Sequence, residues 1–453
     1  MLTVEVPPTY PSERLYALSL LLEEFLGLTF CVSKVERRAT RIHRNDGREL
    51  IIADELFQIS ENQWLRPASL PIIPLQKVTT RNLPISFLSC GEELPILYGN
   101  EPYLEFSDDK IRLGVDIFGS AFFMLTRYEE VANGVYDRHN RFPFDASIVK
   151  RANLVARPIV NEYIELLWAC ISKLWPDLRR KTRAFQAHVS HDVDWVSFRR
   201  QGLPNLLRSS AIDVIKRRDP LLALQRVAST VHAARDVYDT FDFIMDQSEK
   251  AGLKSAFYFI PSQTGGEFDG DYTLDDPWIR QLLRTIHARG HEIGLHSSYE
   301  SFRDPDQIRN ELKVLQRICD EEKISQHHWG GRQHYLRWEA PFTWQNWEDA
   351  GLKYDSTVGF AEHAGFRAGI CYEYPVYNLI EKRPLRLRER PLIVMETTFL
   401  QYSKGGTQAA QAEAQKLAQI CRKFEGDFTL LWHNNSLSTR QARVAFSETL
   451  SYL

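Results

Sequence analysis

The chain has 453 residues, is 43% hydrophobic and 25% charged, and carries a net charge of -3. That composition excludes a disordered chain, leaves room for about two or three domains, and gives no ground for a nucleic-acid partner. The six cysteines (Cys31, Cys90, Cys170, Cys319, Cys371, Cys421) are scattered without a Cys-x-x-Cys pair, which argues against a zinc knuckle or disulfide framework and fits a reducing cytosol.

The opening segment has no basic leader, and Glu23 and Glu24 interrupt its apolar run. It reads as neither a signal peptide nor a membrane span, so a cytoplasmic location is expected. Leu15, Leu18, Leu22 and Phe25 share one face and predict a helix over 12–27, with Ser12 as its cap. Strand-like runs follow at "TFCVSKV" and "ELIIADELF". After a proline-rich stretch, 67–84, come "ISFLSC", "LPILYG" and "IRLGVDIF". These predict a smaller α/β or α+β unit in the first part of the chain, taken as residues 1–180. Within it, 118–130 ("FGSAFFMLTRYEE") reads as a helix with an aromatic face, and 157–176 as a second strong helix. The loop between them holds Asp137, Arg138, His139 and Arg141. It reads as a binding patch or as an interdomain salt-bridge loop.

The stretch 184–195, "AFQAHVSHDVDW", alternates apolar residues and then delivers Asp192 and Asp194. It reads as a strand ending in a site, with both acids facing one opening. Acids that close do not both keep their free pKa, and a metal on one leaves the other as a base. Next, the segment 196–235 mixes eight basic residues with Asp213 and Asp219 and many leucines and isoleucines. It predicts an amphipathic helical insertion, bounded at 196–238. That insertion would be a lid with a solvated face, or would meet an anionic substrate or a membrane surface.

From Tyr238 onward, helix-like and apolar strand-like segments alternate, and Gly252, Gly290, Gly351 and Gly426 stand where helices end. That pattern predicts a parallel sheet covered on both faces, closed or nearly closed into a barrel over 181–453. Chemistry in such barrels sits at the strand C-termini. Polar residues collect there: Asp192 and Asp194, then His291, Glu292, His296 and Glu300. Arg332, His334 and Arg337 follow, then Asp355, Glu396 and His433. A carboxylate with imidazoles suits Zn²⁺ or a similar divalent ion.

The runs "SHDVDW", "RGHEIGLHSS", "GGRQHYLRW" and "LLWHNN" resemble, in order and spacing, the motifs of NodB-type polysaccharide deacetylases, carbohydrate esterase family 4. The match covers about residues 184–440, and Arg-Gly-His-Glu-Ile-Gly-x-His is its most specific part. Region 1–180 resembles the uncharacterised N-terminal region that precedes such domains in some bacterial proteins. The resemblance implies a distorted (β/α)7 barrel holding one divalent metal, Zn²⁺ or a similar ion. By position, Asp192 matches the catalytic base, Asp194 the metal aspartate and His296 the first metal histidine. Arg332 matches the arginine that holds the base, and His433 the histidine acting as acid; a nearby acid such as Glu396 would orient it. His291 falls on a position that is usually structural.

The sequence departs from the family where a second metal histidine usually stands, four residues after the first, because Glu300 occupies that place. Glu300, Glu396 or a water is then the third ligand. The implied reaction is metal-assisted removal of an N-acetyl or similar acyl group from a sugar, a cytoplasmic precursor of a surface glycan. Tyr335, Trp338 and Trp432 are candidates for stacking on the sugar ring. A hydrolase of another small amide and a non-catalytic binding or scaffold protein are the alternatives. Peripheral membrane contact through 196–235 is part of the expectation.

Overall fold

Two large sheets divide the chain, which a computed structural model describes over residues 1–79, 93–398 and 406–453. The first sheet is mixed and six-stranded. It begins with β1 (Leu2–Val6), whose residues alternate between buried and half-buried as a one-sided strand should. The helix α1 (Pro11–Leu18) follows and continues as a π-helical turn over Ser19–Phe25, so the predicted helix over 12–27 is present in two forms. Then come β2 (Phe30–Lys34), β3 (Ala39–His43) and β4 (Glu49–Ala53). A two-stranded ribbon, β5 (Gln76–Thr79) with β6 (Glu93–Ile96), stands apart from the sheet. The sheet is completed by β7 (Gly99–Phe106) and β8 (Lys110–Val115), giving the order β2-β1-β3-β4-β8-β7. The predicted strand "ISFLSC" lies outside the described residues.

The predicted helix over 118–130 is two helices, α2 (Ile117–Leu125) and α3 (Tyr128–Asn133). Arg127 between them takes a left-handed conformation, φ 56°, which ends the first helix. Buried Asp116 caps α2 through Gly119 N–H and also accepts the N–H groups of Glu55 and Leu56. A short α4 (Ile148–Arg151) and the long α5 (Ile159–Leu174) complete this part.

The second sheet has nine strands in the order β14-β15-β13-β12-β11-β10-β9-β17-β16. It holds β9 (Gln186–Val193), β10 (Ser255–Phe259), β11 (Glu292–Ser297), β12 (Gly330–Gln333) and β13 (Tyr354–Asp355). It also holds β14 (Tyr374–Asn378), β15 (Arg383–Glu389), β16 (Val394–Met395) and β17 (Asp427–Leu431). All pairings are parallel except that of β14 with β15. The seven strands read from sequence lie side by side in this order, and the antiparallel hairpin β14–β15 is an addition beside β13.

The sheet has to be rolled. Residues 390–393 alone join β15 to β16, near opposite ends of the strand order. Such a link reaches less than ~20 Å, whereas eight flat strands would span ~34 Å. Backbone bonds bridge the seam: Leu392 N–H donates to Val358 C=O at 3.1 Å, and Gly365 N–H to Ile393 C=O at 2.8 Å. The outer helices are α8 (Phe241–Lys250), α9 (Pro277–Ala288), α10 (Pro305–Glu321), α11 (Phe342–Ala350), α12 (Gly406–Lys423) and α13 (Arg440–Ser451). The insertion between β9 and α8 holds the two helices α6 (Gly202–Ile215) and α7 (Pro220–Thr230).

One apolar core runs through both sheets, from Leu2 to Leu450. A buried ionic group ties them as well. The Glu130 carboxylate accepts from Arg127 Nε at 2.9 Å and from Arg367 Nε and Nη2 at 3.0 and 2.7 Å. Tyr374 Oη donates to Leu125 C=O, and Tyr16 Oη to Pro375 C=O.

Candidate active site

Side chains along a strand alternate in direction, so Asp192 and Asp194 at the end of β9 lean to one side while Val193 enters the core. Both acids line a cavity of about 300 Å³, together with His296, His334, Tyr335, Glu396 and His433. The glycine pair at the start of β12 lets that strand lie close to its neighbours, since a Cβ on Gly331 would meet the Leu295 carbonyl oxygen at 1.8 Å.

Asp192 is held by Arg332, whose Nη1 donates to Oδ1 at 2.7 Å. Arg332 is fully enclosed. Its other donors are used on the Ser356 carbonyl at 2.8 Å and on the Ser190 and Ser356 hydroxyls at 3.0 Å each. A buried guanidinium bonded through all three of its nitrogens is a fixed charge, and it fixes the carboxylate before it.

Three groups converge beside it. Asp194, His296 and His334 each bring one ligand atom, all within 4.8 Å of one another. His296 Nδ1 lies 2.8 Å from the Arg332 carbonyl, which can only accept, so Nδ1 carries the proton and Nε2 turns to the cavity. His334 Nδ1 likewise donates to the Asp269 carboxylate at 3.1 Å. The two Nε2 atoms stand 3.2 and 3.5 Å from Asp194 Oδ1. Asp194 Oδ1 and His296 Nε2 are buried without a hydrogen-bond partner. Lone pairs facing each other across such distances repel unless a proton or cation lies between them. Burial would raise the Asp194 carboxyl, but His334, His296 and His433 hold it well below the usual carboxylate range. Burial likewise opposes charge on His296, but Asp192 and Asp194 raise it above its ordinary value. One carboxylate and two imidazoles, each imidazole anchored through its other nitrogen, form a donor set that fits a divalent ion such as Zn²⁺.

On the far wall His433 Nδ1 lies 2.7 Å from Glu396 Oε1, and its Nε2 points to Asp194 Oδ2 at 3.5 Å. Burial would depress this imidazole, yet Glu396, then Asp194 and Asp192, lift it to about 10. Ser436 Oγ also donates to Glu396, at 2.8 Å.

Of the residues named from sequence, Arg141, Asp192, Asp194, His296, His334, Tyr335, Glu396 and His433 line the cavity, and Arg332 stands behind it. Trp338 and Trp432 do not. Trp338 packs on Trp344 at 4.6 Å and Trp432 on Phe446 at 5.3 Å, both as core residues less than 2% exposed. Their assignment to sugar stacking is therefore corrected: the flat apolar rings are consumed by helix packing. Glu300 does not reach the cavity, and its half-exposed carboxylate pairs with Arg337 at 3.1 Å. His291 accepts the Ser255 N–H and faces Glu249, away from the site. The site residues missed from sequence are His334 as a converging ligand, its anchor Asp269, and the apolar wall of Phe268, Leu336, Met395 and Leu431. The first part of the chain also takes part. Arg141 lines the cavity, bonded to Asp137 and to the Tyr335 carbonyl, and His139 Nδ1 meets Tyr299 Oη at 2.8 Å.

Residues 2–176 match the model of a family of unknown function, DUF7033. No curated protein matches the chain. Among solved structures, a protein of Mycobacterium smegmatis named as a polysaccharide deacetylase is 16% identical, over 60% of this chain and 84% of its own, with a TM-score of 0.39. The Puue allantoinase is 12% identical over 60% of this chain and 84% of its own, at 0.36. A carbohydrate deacetylase, Agd3, is 10% identical over 99% of this chain and 83% of its own, at 0.35. These overall likenesses are distant, and the functional reading rests on the side chains of the site.

Proposed function

We propose that the chain hydrolyses an amide, an N-acyl group on a sugar of a glycan precursor, at the cavity beneath Asp192 and His433, with one divalent ion held by Asp194, His296 and His334. The observation that carries this reading is the convergence of three kinds of group on one 300 Å³ space. It has a ligand triad with orphaned lone pairs, a carboxylate fixed by a buried arginine, and an imidazole backed by a carboxylate. The motif resemblance supports the same reaction class.

When bound, the ion would polarise the acyl carbonyl and acidify a water, which is the chemistry a divalent Lewis acid supplies. The chain's own residues do the rest. Asp192 takes the proton of the attacking water, and Arg332 keeps the accepting oxygen aimed. His433, charged through its contact with Glu396, delivers a proton from Nε2 to the departing nitrogen. Tyr335 at the cavity rim, 38% exposed, offers a ring face to a sugar. The apolar wall of Leu336, Met395 and Leu431 suits a short acyl group.

Acetate release from N-acetylated sugar nucleotides and lipid-linked sugars, with added Zn²⁺, Co²⁺ or Ni²⁺, is the deciding assay. Activity lost in both Asp192→Asn and His433→Ala is the expected result. A wild-type protein that binds no divalent ion and releases no acyl group from any of these would be a binding protein instead.

A further inference from the structure

The insertion between β9 and α8 closes on a small apolar cluster, Phe198, Leu222 and Val237, with Leu206 packed against it. Its two helices also meet through charge. Asp213 is fully enclosed between them and pairs with Arg226 at 2.6 Å and with Arg217 at 2.5 Å. Arg226 also lies over the Phe198 ring, 4.6 Å from its centroid. The outer surface is apolar. On α6, Leu203, Leu207 and Val214 fall on one exposed face, at the spacing of helical turns. Around the tip, Ile215 and Leu221 are 75% and 76% exposed. Along α7, Leu224, Val227 and Val231 continue the surface. Eight of the twenty large apolar side chains exposed among the described residues thus fall within residues 203–231. Scattered exposed leucines need no explanation, but a concentration like this one does.

The exposed charges within 203–231 have one sign. Arg208, Lys216 and Arg218 are exposed and form no ion pair with a described residue. The only acids within 203–231 are Asp213, which is buried, and Asp219, which caps α7 through Leu222 N–H. A second copy of this chain paired through the same surface would therefore set basic side chains against their own kind, with only the half-buried cap Asp219 to answer them. Apolar side chains framed by unanswered cations instead match hydrocarbon beneath anionic headgroups. No helix among the described residues is long and apolar enough to cross a membrane, so contact through these helices is contact with the surface.

We propose that the α6–α7 hairpin docks the protein on anionic lipid. The insertion that carries the hairpin leaves the sheet after β9, and Trp195 at its root lines the cavity. Docking would accordingly bring the site to whatever the lipid surface carries. The proposal does not depend on which reaction the cavity performs.

The test sediments the full chain with vesicles of phosphatidylcholine alone and with vesicles containing about 30 mol% phosphatidylglycerol. The protein should pellet with the anionic vesicles and be released by salt. Leu207→Glu with Leu224→Glu should weaken binding at least about tenfold, with unchanged melting because both side chains are exposed. Arg208→Glu with Lys216→Glu and Arg218→Glu should abolish the preference for anionic vesicles. A wild-type protein that stays in the supernatant overturns the proposal, and so does binding that both variants leave intact. Light scattering that shows a dimer split by Leu207→Glu with Leu224→Glu, without vesicle binding, would assign the surface to a second copy and overturn it too.

Discussion

Nε2 of His334 faces Oδ1 of Asp194 at 3.5 Å, from just past the end of β12, the neighbour of the strand that carries His296. If this triad is the metal site, elemental analysis should find about one divalent ion per chain. Asp269→Asn, which loosens His334, should cost about 10–100-fold in affinity, and His334→Ala more. Glu300→Ala should leave binding unchanged. Affinity should fall as pH falls, because a proton competes for the same lone pairs. An ion retained by His334→Ala and lost from Glu300→Ala would return the third position to Glu300.

Asp192→Asn keeps the shape of the base and removes its ability to accept a proton. Turnover should drop by about 10²–10⁴ with the metal content unchanged. The variant should also melt earlier than wild type, since Arg332 then keeps a buried charge without its counter-ion. Arg332→Ala acts through the same carboxylate, so the double variant should be little worse than the worse single one. Clearly multiplicative losses would separate the two roles.

The Glu396–His433 contact predicts a pH response with a definite sign. The imidazole is raised from its ordinary value of 6.5 to about 10, with burial opposing and Glu396 prevailing. Its stabilising contribution is therefore complete below the ordinary value and is lost as pH rises through the raised one. A cation on Asp194 would cancel part of that lift. Glu396→Gln removes the largest support, so the alkaline limb of kcat/KM should move acidward by at least about one unit, ~1.4 kcal/mol. A limb that stays in place would remove His433 from the role of acid.

Glu130 sits between two buried guanidiniums, those of Arg127 and Arg367. Glu130→Ala leaves both without their carboxylate, and the expected loss of stability is about 3–5 kcal/mol, read by urea unfolding. Because one core spans both sheets, unfolding should stay a single transition in circular dichroism and tryptophan fluorescence. Two separated transitions would show that the parts hold themselves up independently.

Much of the second sheet was legible because its strands are apolar and its helices end in glycine or strong turn signals. Gly252, Gly290 and Gly351 do take positive φ, whereas at the end of α12 it is Glu425 that does so, with φ 52°. The hairpin β14–β15 was not read as strand, although Leu385, Leu387 and Glu389 alternate inward along β15. Its intervening arginines resemble a loop until Glu373 and Glu24 are seen to answer Arg388. His334 was visible as a strand-end histidine but not as a ligand. No fixed spacing links it to His296, and the two meet only because β11 and β12 pair His296 with Arg332, two residues earlier. Tryptophans carry no mark that separates a stacking platform from a packed core, so Trp338 and Trp432 could be sorted only by their neighbours.

The pairing of β9 has a consequence for how the chain is made. One edge of β9 bonds to β10, but the other waits for β17, and Ser190 Oγ reaches Leu430 C=O across 240 positions of sequence. While the ribosome is still adding those residues, the strand that bears both acids has an open edge, ready to pair with the wrong neighbour. His433, two residues past β17, emerges later still. A chain halted before that point would expose an unpaired strand and lack the proton donor, so errors late in translation should yield aggregation rather than a partly working protein.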